Sequence, residues 1–163
     1  MNINATETVV LDGENSEFAT GVNSDADPGA EGNAGAVTIT TGSLEVKNGA
    51  VIAASTYGKG DAGTVNINAT ETVVLDRENS EFFTGVTSNV QPGAEGNAGA
   101  VTITTGSLEV KNGAVIAAST FAKGDAGTVN INATETVVLD GENSDFFTGV
   151  TSNVQPGAEG NAG

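Results

Sequence analysis

The sequence contains no cysteine, no histidine and no tryptophan, and each absence closes a class of chemistry. Without cysteine there are no disulfides, no thiolate metal sites and no sulfur nucleophile. Without histidine the chain lacks the usual general base near neutral pH and the commonest ligand for zinc, copper or non-haem iron. Aromatic residues amount to one tyrosine and six phenylalanines. Positive charge is equally scarce. Lys47, Lys59, Arg77, Lys111 and Lys123 stand against 21 acidic residues, for a formal charge of −16. That balance repels a phosphate backbone and an anionic membrane surface, so neither nucleic acid nor membrane insertion is expected. No apolar run approaches the roughly 18 residues that cross a bilayer, and the N-terminal residues have neither the basic nor the apolar region of a signal peptide.

What is present is repetition. NINATETVVLD begins at Asn2, at Asn66 and at Asn130, a spacing of 64 residues each time. Residues 33–64 and 97–128 differ only by Tyr57 against Phe121 and Gly58 against Ala122. Each unit divides again, because NAGAVTITTGSLEVKNGAVIAAST at 33–56 parallels DAGTVNINATETVVLDRENSEFFTGV at 61–86, giving sub-units of 28 and 36 residues. Both carry three short runs rich in Val, Ile and Thr, followed by a loop of variable length. In the shorter sub-unit these runs are 37–40, 44–46 and 50–56. In the longer one they are 65–68, 73–76 and 82–86.

Within the first run Val37 and Ile39 alternate with Thr38 and Thr40, and Val65 and Ile67 flank Asn66 in the same way. Period two marks a half-buried strand. The second run supplies Leu44 and Val46, matched by Val73 and Leu75 after a one-residue insertion in the turn ATE. The third is read as Ile52 with Ala50 and Ala54, aligned with Ser80, Phe82 and Thr84. A coil built this way has only five to seven inward side chains and cannot bury them alone; stacking the coils buries them as ladders. The expected fold is an all-β, right-handed parallel β-helix with three short strands per coil. Its five coils span 1–32, 33–60, 61–96, 97–124 and 125–160, a rod roughly 24 Å long at about 4.8 Å per coil. The expected inward ladder is Val37, Ile39, Leu44, Val46, Ile52, Val65, Ile67, Val73, Leu75, Phe82, Val101, Ile103, Leu108, Val110, Ile116, Val129, Ile131, Val137, Leu139 and Phe146. An antiparallel sandwich is the competing architecture, but it would normally carry a heavier aromatic core. In the first copy Ala19 stands where Phe83 stands in the second, and Gly13 where Arg77 stands; both are read as outward or loop positions.

Several patterns hint at chemistry. The acidic residues Glu7, Glu71 and Glu135, and Asp12, Asp76 and Asp140, recur on the long coils, about 9.6 Å apart. They read as a solvated acidic face. A sharper reading gathers the loop carboxylates Asp61, Glu95 and Asp125 around a divalent cation such as Ca²⁺, which needs six to eight oxygens. The outward pairs Thr38/Thr40 and Thr102/Thr104 form an array of the kind that binds ice, interrupted by Asn66/Asn68 and Asn130/Asn132. Exposed Phe83 and Phe147 on the long-coil loops suggest recognition of glycans or a partner protein. Asn4 opens an N-glycosylation acceptor, and GAEGNAG and KGDAG are glycine-rich loops without the lysine of a phosphate-binding loop. Every carboxylate sits in a repeated context, so no catalytic residue, cofactor or resident metal is expected.

The order VTIT, NGA.I.AST and GDAG.V.I.A resembles the repeat region of filamentous-haemagglutinin-type exoproteins, the large cyanobacterial ones in particular, some of which are described as S-layer family proteins. The resemblance covers the whole chain. It implies a β-helical rod, export by two-partner secretion, and a place outside the cell or on its surface in adhesion, aggregation or coating. Its implied partners are flanking coils of a parent chain and host or neighbouring-cell glycans or proteins. The chain starts and stops inside a repeat and reads as a fragment of a longer protein. Open strand edges at both ends lead us to expect head-to-tail self-association.

Overall fold

A computed structural model describes every residue except Asn15, Phe18, Ala19, Asn79 and Asn143, so the expectation for Ala19 lies outside the described residues. The first coil contributes β1 (Asn2–Asn4), β2 (Thr8–Asp12) and β3 (Thr20–Asn23). The second contributes β4 (Val37–Thr41), β5 (Ser43–Lys47) and β6 (Ala50–Ala53). The third has β7 (Val65–Ala69), β8 (Thr72–Asp76) and β9 (Gly85–Thr87), and the fourth β10 (Ala100–Thr105), β11 (Ser107–Lys111) and β12 (Val115–Ala117). The fifth ends the stack with β13 (Thr128–Ala133), β14 (Val137–Asp140) and β15 (Gly149–Thr151). Every pairing is parallel and joins equivalent strands of successive coils. The first strands form one five-stranded sheet, the second strands another and the third strands a third. The chain is therefore a parallel β-helix, and among the described residues it holds no helix.

The core follows from the two-residue alternation. In the first sheet Ile3, Ile39, Ile67, Ile103 and Ile131 stand in register. In the second, Val9, Leu44, Val73, Leu108 and Val137 form one column, and Leu11, Val46, Leu75, Val110 and Leu139 another. In the third, Val22, Ile52, Val86, Ile116 and Val150 line up. The members in the three middle coils are fully buried, as are Val37, Val65 and Val101. Val129 and Ile131, in the last coil, are half-buried against the cluster, while Val137 and Leu139 are each 50% exposed. The reason is geometric: a coil with one neighbour covers one side of its inward residues.

Two expectations fail in the third run. Phe82 and Phe146 lie on the surface, 50% and 54% exposed. The described residues of 77–84 and 141–148 form loops, and the strand begins only at Gly85 or Gly149, so that Val86 rather than Phe82 stands beside Ile52. The loop threonine Thr84 is buried because its Oγ1 accepts the Gly49 N–H at 2.7 Å. Arg77 lies in the loop, as one of its two expected placements had it, but is buried there, at 6% exposed. Its Nε and Nη2 donate to the carbonyls of Ser80 and Glu81 at 2.9 and 2.8 Å, and the Phe146 ring covers it at 3.4 Å. Desolvation lowers the guanidinium pKa.

The loops that return the chain to the first sheet stack as tightly as the strands. Gly32, Gly60, Gly96, Gly124 and Gly160 all have φ between 140° and 155°, a region open almost only to glycine. A Cβ on Gly63 would lie 1.8 Å from the Gly35 carbonyl oxygen, so the GNAG and GDAG segments nest backbone on backbone.

Candidate functional site

Outward residues of the stack define three faces with different chemistry. On the first sheet Asn4, Thr40, Asn68, Thr104 and Asn132 form an exposed column beside Asn2, Thr38, Asn66, Thr102 and Asn130. The Thr pairs and Asn pairs thus alternate coil by coil, and this face carries no charge. Asn4, the glycosylation acceptor, is exposed on it.

The second sheet is charged, and its pattern differs from a purely acidic face. Asp12, Lys47, Asp76, Lys111 and Asp140 are direct strand partners, so lysines of the short coils stand between aspartates of the long ones. The loop column repeats the scheme as Glu31, Lys59, Glu95, Lys123 and Glu159. Lys47 also pairs with Glu45 at 2.8 Å, and Lys123 with Glu95 at 2.7 Å. These contacts raise the pKa of Lys47 and Lys123 and lower that of Glu95. The Asp12 carboxyl is held below its ordinary range first by the hydrogen bond that Asn48 Nδ2 donates to it, then by the Glu14 N–H.

The loop carboxylates considered for a cation separate into different columns. Asp61 Oδ1 accepts the Asn97 N–H at 2.8 Å, Asn97 Oδ1 accepts the Asp125 N–H at 3.0 Å, and Asp125 Oδ1 accepts the Asn161 N–H at 2.8 Å. Asp61 and Asp125 are thus links in an amide ladder, while Glu95 belongs to the lysine column. Among the described residues no group of three acidic side chains is placed to hold a metal.

The third face carries the aromatics. Phe83 folds onto Gly85, where a Cβ would meet its ring at 2.9 Å, and Phe147 lies likewise on Gly149. Tyr57 and Phe121 follow the third strand of the short coils. With Phe83 they line a groove of about 370 Å³, together with Val51, Ala53, Asn23, Asp25, Asn89 and Gln91. Its polar edge is prearranged: Asp25 Oδ1 accepts the Ser55 N–H at 2.7 Å, and Asn89 Oδ1 accepts the Ser119 N–H at 2.8 Å. Burial raises the Asp25 pKa, and burial followed by the charges of Asp25 and Asp27 raises that of Tyr57. Sequence reasoning found Phe83 and Phe147 but overlooked Tyr57 and Phe121. The available signal was the aromatic residue immediately after AAST in each short coil.

No protein-family model, curated protein or solved structure matches the chain.

Proposed function

We propose that the chain is a non-catalytic shaft segment of a secreted bacterial surface exoprotein of the filamentous-haemagglutinin type, exported by two-partner secretion and related to the S-layer family proteins. One observation supports this reading above the others: all five coils pair strand to strand in three continuous sheets. Length in such a stack is proportional to repeat number, and each 64-residue unit adds about 9.6 Å. The shaft projects whatever its parent chain carries at its tip, and its acidic outward residues keep a repetitive surface soluble. The test is a set of chains carrying one, two and four additional units. X-ray scattering should show the maximum dimension rising by about 9.6 Å per unit, and cells displaying longer chains should aggregate across larger separations. A dimension independent of unit number overturns the shaft reading. Turnover of acidic or neutral polysaccharides in a reducing-sugar assay overturns its non-catalytic part.

A second reading, favoured by the groove that Phe83, Tyr57 and Phe121 line, is glycan binding. Apolar sugar faces stack on aromatic rings while amide side chains meet the hydroxyls. A glycan array separates the two readings: binding lost in F83A and Y57A/F121A supports the groove, and an empty array leaves the shaft alone.

A further inference from the structure

We infer that the corner at Gly13 is a binding site for a guanidinium group, and that its occupant is an arginine side chain of a partner protein. The site goes beyond the shaft reading. It lies inside the stack, between the first and third coils, and the equivalent corner one repeat along already holds an arginine.

That filled corner shows what the turn is built to take. Arg77 follows β8, and its Nε and Nη2 donate to the carbonyls of Ser80 and Glu81 at 2.9 and 2.8 Å. The guanidinium lies 3.4 Å from the centroid of the Phe146 ring, which belongs to the next long coil. Its arm passes over the Asn112–Gly113 turn, with Cδ 3.2 Å from where a Cβ on Gly113 would stand. Phe146 is set in place by its own N–H, which donates to Ser144 Oγ at 3.1 Å.

The first repeat builds the same corner without the arginine. Ser16 N donates to the Gly13 carbonyl at 3.0 Å, as Ser80 N does to that of Arg77. Glu14 N donates to Asp12 Oδ1 at 3.0 Å, as Glu78 N does to Asp76 Oδ1 at 2.9 Å. Phe82 takes the place of Phe146, with its N–H donating to Ser80 Oγ at 3.1 Å. Over Gly49 lie Phe82 Cβ and Ser80 Oγ, the counterparts of the Phe146 and Ser144 atoms over Gly113, but no arginine arm. In its place is a groove of about 370 Å³, lined by Gly13, Glu14 and Ser16 of the first coil and by Glu78, Glu81 and Phe82 of the third.

The chain does not supply this groove with a cation of its own. A Cβ on Gly13 would lie 2.3 Å from the Asn48 carbonyl oxygen, because this corner is drawn tighter: Gly13 N is 3.1 Å from Lys47 O, whereas Arg77 N is 3.4 Å from Lys111 O. Lys47 is paired with Glu45 at 2.8 Å and does not line the groove. Arg77 is the one arginine of the sequence and is buried in its own corner, so a second copy has none to offer. The chemistry of the lining favours guanidinium over ammonium. A flat, weakly hydrated cation stacks on the half-exposed Phe82 ring, and its forked N–H groups meet carboxylates two at a time. With a formal charge of −16 the chain attracts a basic partner toward it.

The experiment titrates the isotope-labelled full chain with end-capped Gly-Arg-Gly and Gly-Lys-Gly peptides, followed by nuclear magnetic resonance at neutral pH and low salt. The arginine peptide should shift the amides of Glu14, Ser16, Glu81 and Phe82 saturably, and bind at least about threefold more tightly than the lysine peptide. Phe82→Leu should weaken it about two- to fivefold. E78Q/E81Q and added salt should weaken both peptides. Arg77→Gly should open the second corner, so that the arginine peptide also shifts Glu142 and Phe146, which it leaves unmoved in the parent chain; should that variant fail to fold, the titration of the parent still decides. No saturable shift at the Gly13 corner, equal binding of the two peptides, or no effect of Phe82→Leu overturns the guanidinium site. Free arginine carries a carboxylate that Glu14, Glu78 and Glu81 repel and should bind more weakly than the peptide; tighter binding of the free amino acid overturns the assignment to a partner protein.

Discussion

Replacing Ile67 by alanine removes three carbons from the centre of the stack, where the side chain is 1% exposed and lies between Ile39 and Ile103. At about 0.8 kcal/mol per methylene the lost transfer energy is about 2.4 kcal/mol. Flanking coils are pinned by their own hydrogen bonds and collapse little, so a residual cavity adds about 1–2 kcal/mol. The total is about 3–4 kcal/mol. Phe82→Ala deletes a larger side chain, yet half of that ring already faces water and its contact is with the Asn48–Gly49 turn rather than the core. Its cost should stay near 1 kcal/mol. Urea titration followed by circular dichroism measures both. In a stack whose coils are stable only through their neighbours, Ile67→Ala should also lower the slope of the transition by uncoupling the coils on either side. A Phe82→Ala penalty equal to or above that of Ile67→Ala would refute the assignment of the third column to Val86.

Gly63→Ala and Gly93→Ala distinguish crowding from backbone strain. A Cβ at Gly63 collides with the Gly35 carbonyl, whereas Gly93, at φ 86°, has nothing within 4 Å. The first should cost several kcal/mol and the second only about 1 kcal/mol, read from thermal midpoints. Asp12 and Asp25 should respond to pH with opposite sign. The folded-state pKa of Asp12 is lowered, chiefly by Asn48, so its contribution is present above the unfolded value near 3.9 and disappears as pH falls below it. Asp12→Asn should therefore destabilise at pH 7, with the difference from the parent shrinking as pH falls through the lowered folded-state pKa. The pKa of Asp25 is raised by burial, so its contribution is full below the unfolded value and lost as pH rises through the raised one. Asp25→Asn should stabilise at pH 7, with the gain fading toward pH 3; a gain independent of pH would contradict the assignment.

The first two strands of each coil were legible because Val, Ile and Leu recur at every second position, and Leu44 does stand beside Val73 after the insertion at ATE. The third strand of the long coils was not. In the third and fifth coils it is three residues long with a single inward aliphatic, Val86 or Val150, framed by glycine and threonine. The neighbouring Phe82–Phe83 pair outweighs it in any hydrophobic pattern. The buried state of Arg77 was equally hidden, since it depends on Phe146 from the next long coil. The acidic columns were visible, but the lysines between them were not. Asp76 meets Lys47 and Lys111 only once two sub-units of unequal length are aligned strand by strand. The groove on the third face needs residues from four coils, and no single coil contains its walls.

The most direct test of the parallel stack uses spin labels on Asn4 paired in turn with Thr40, Asn68, Thr104 and Asn132, exposed sites in one column of a chain with no native cysteine. Electron paramagnetic resonance should give distances that grow by about 4.8 Å for each coil, reaching about 19 Å between Asn4 and Asn132. Distances that fail to increase in that order would mean that equivalent segments do not lie one above the next, and would contradict the β-helix.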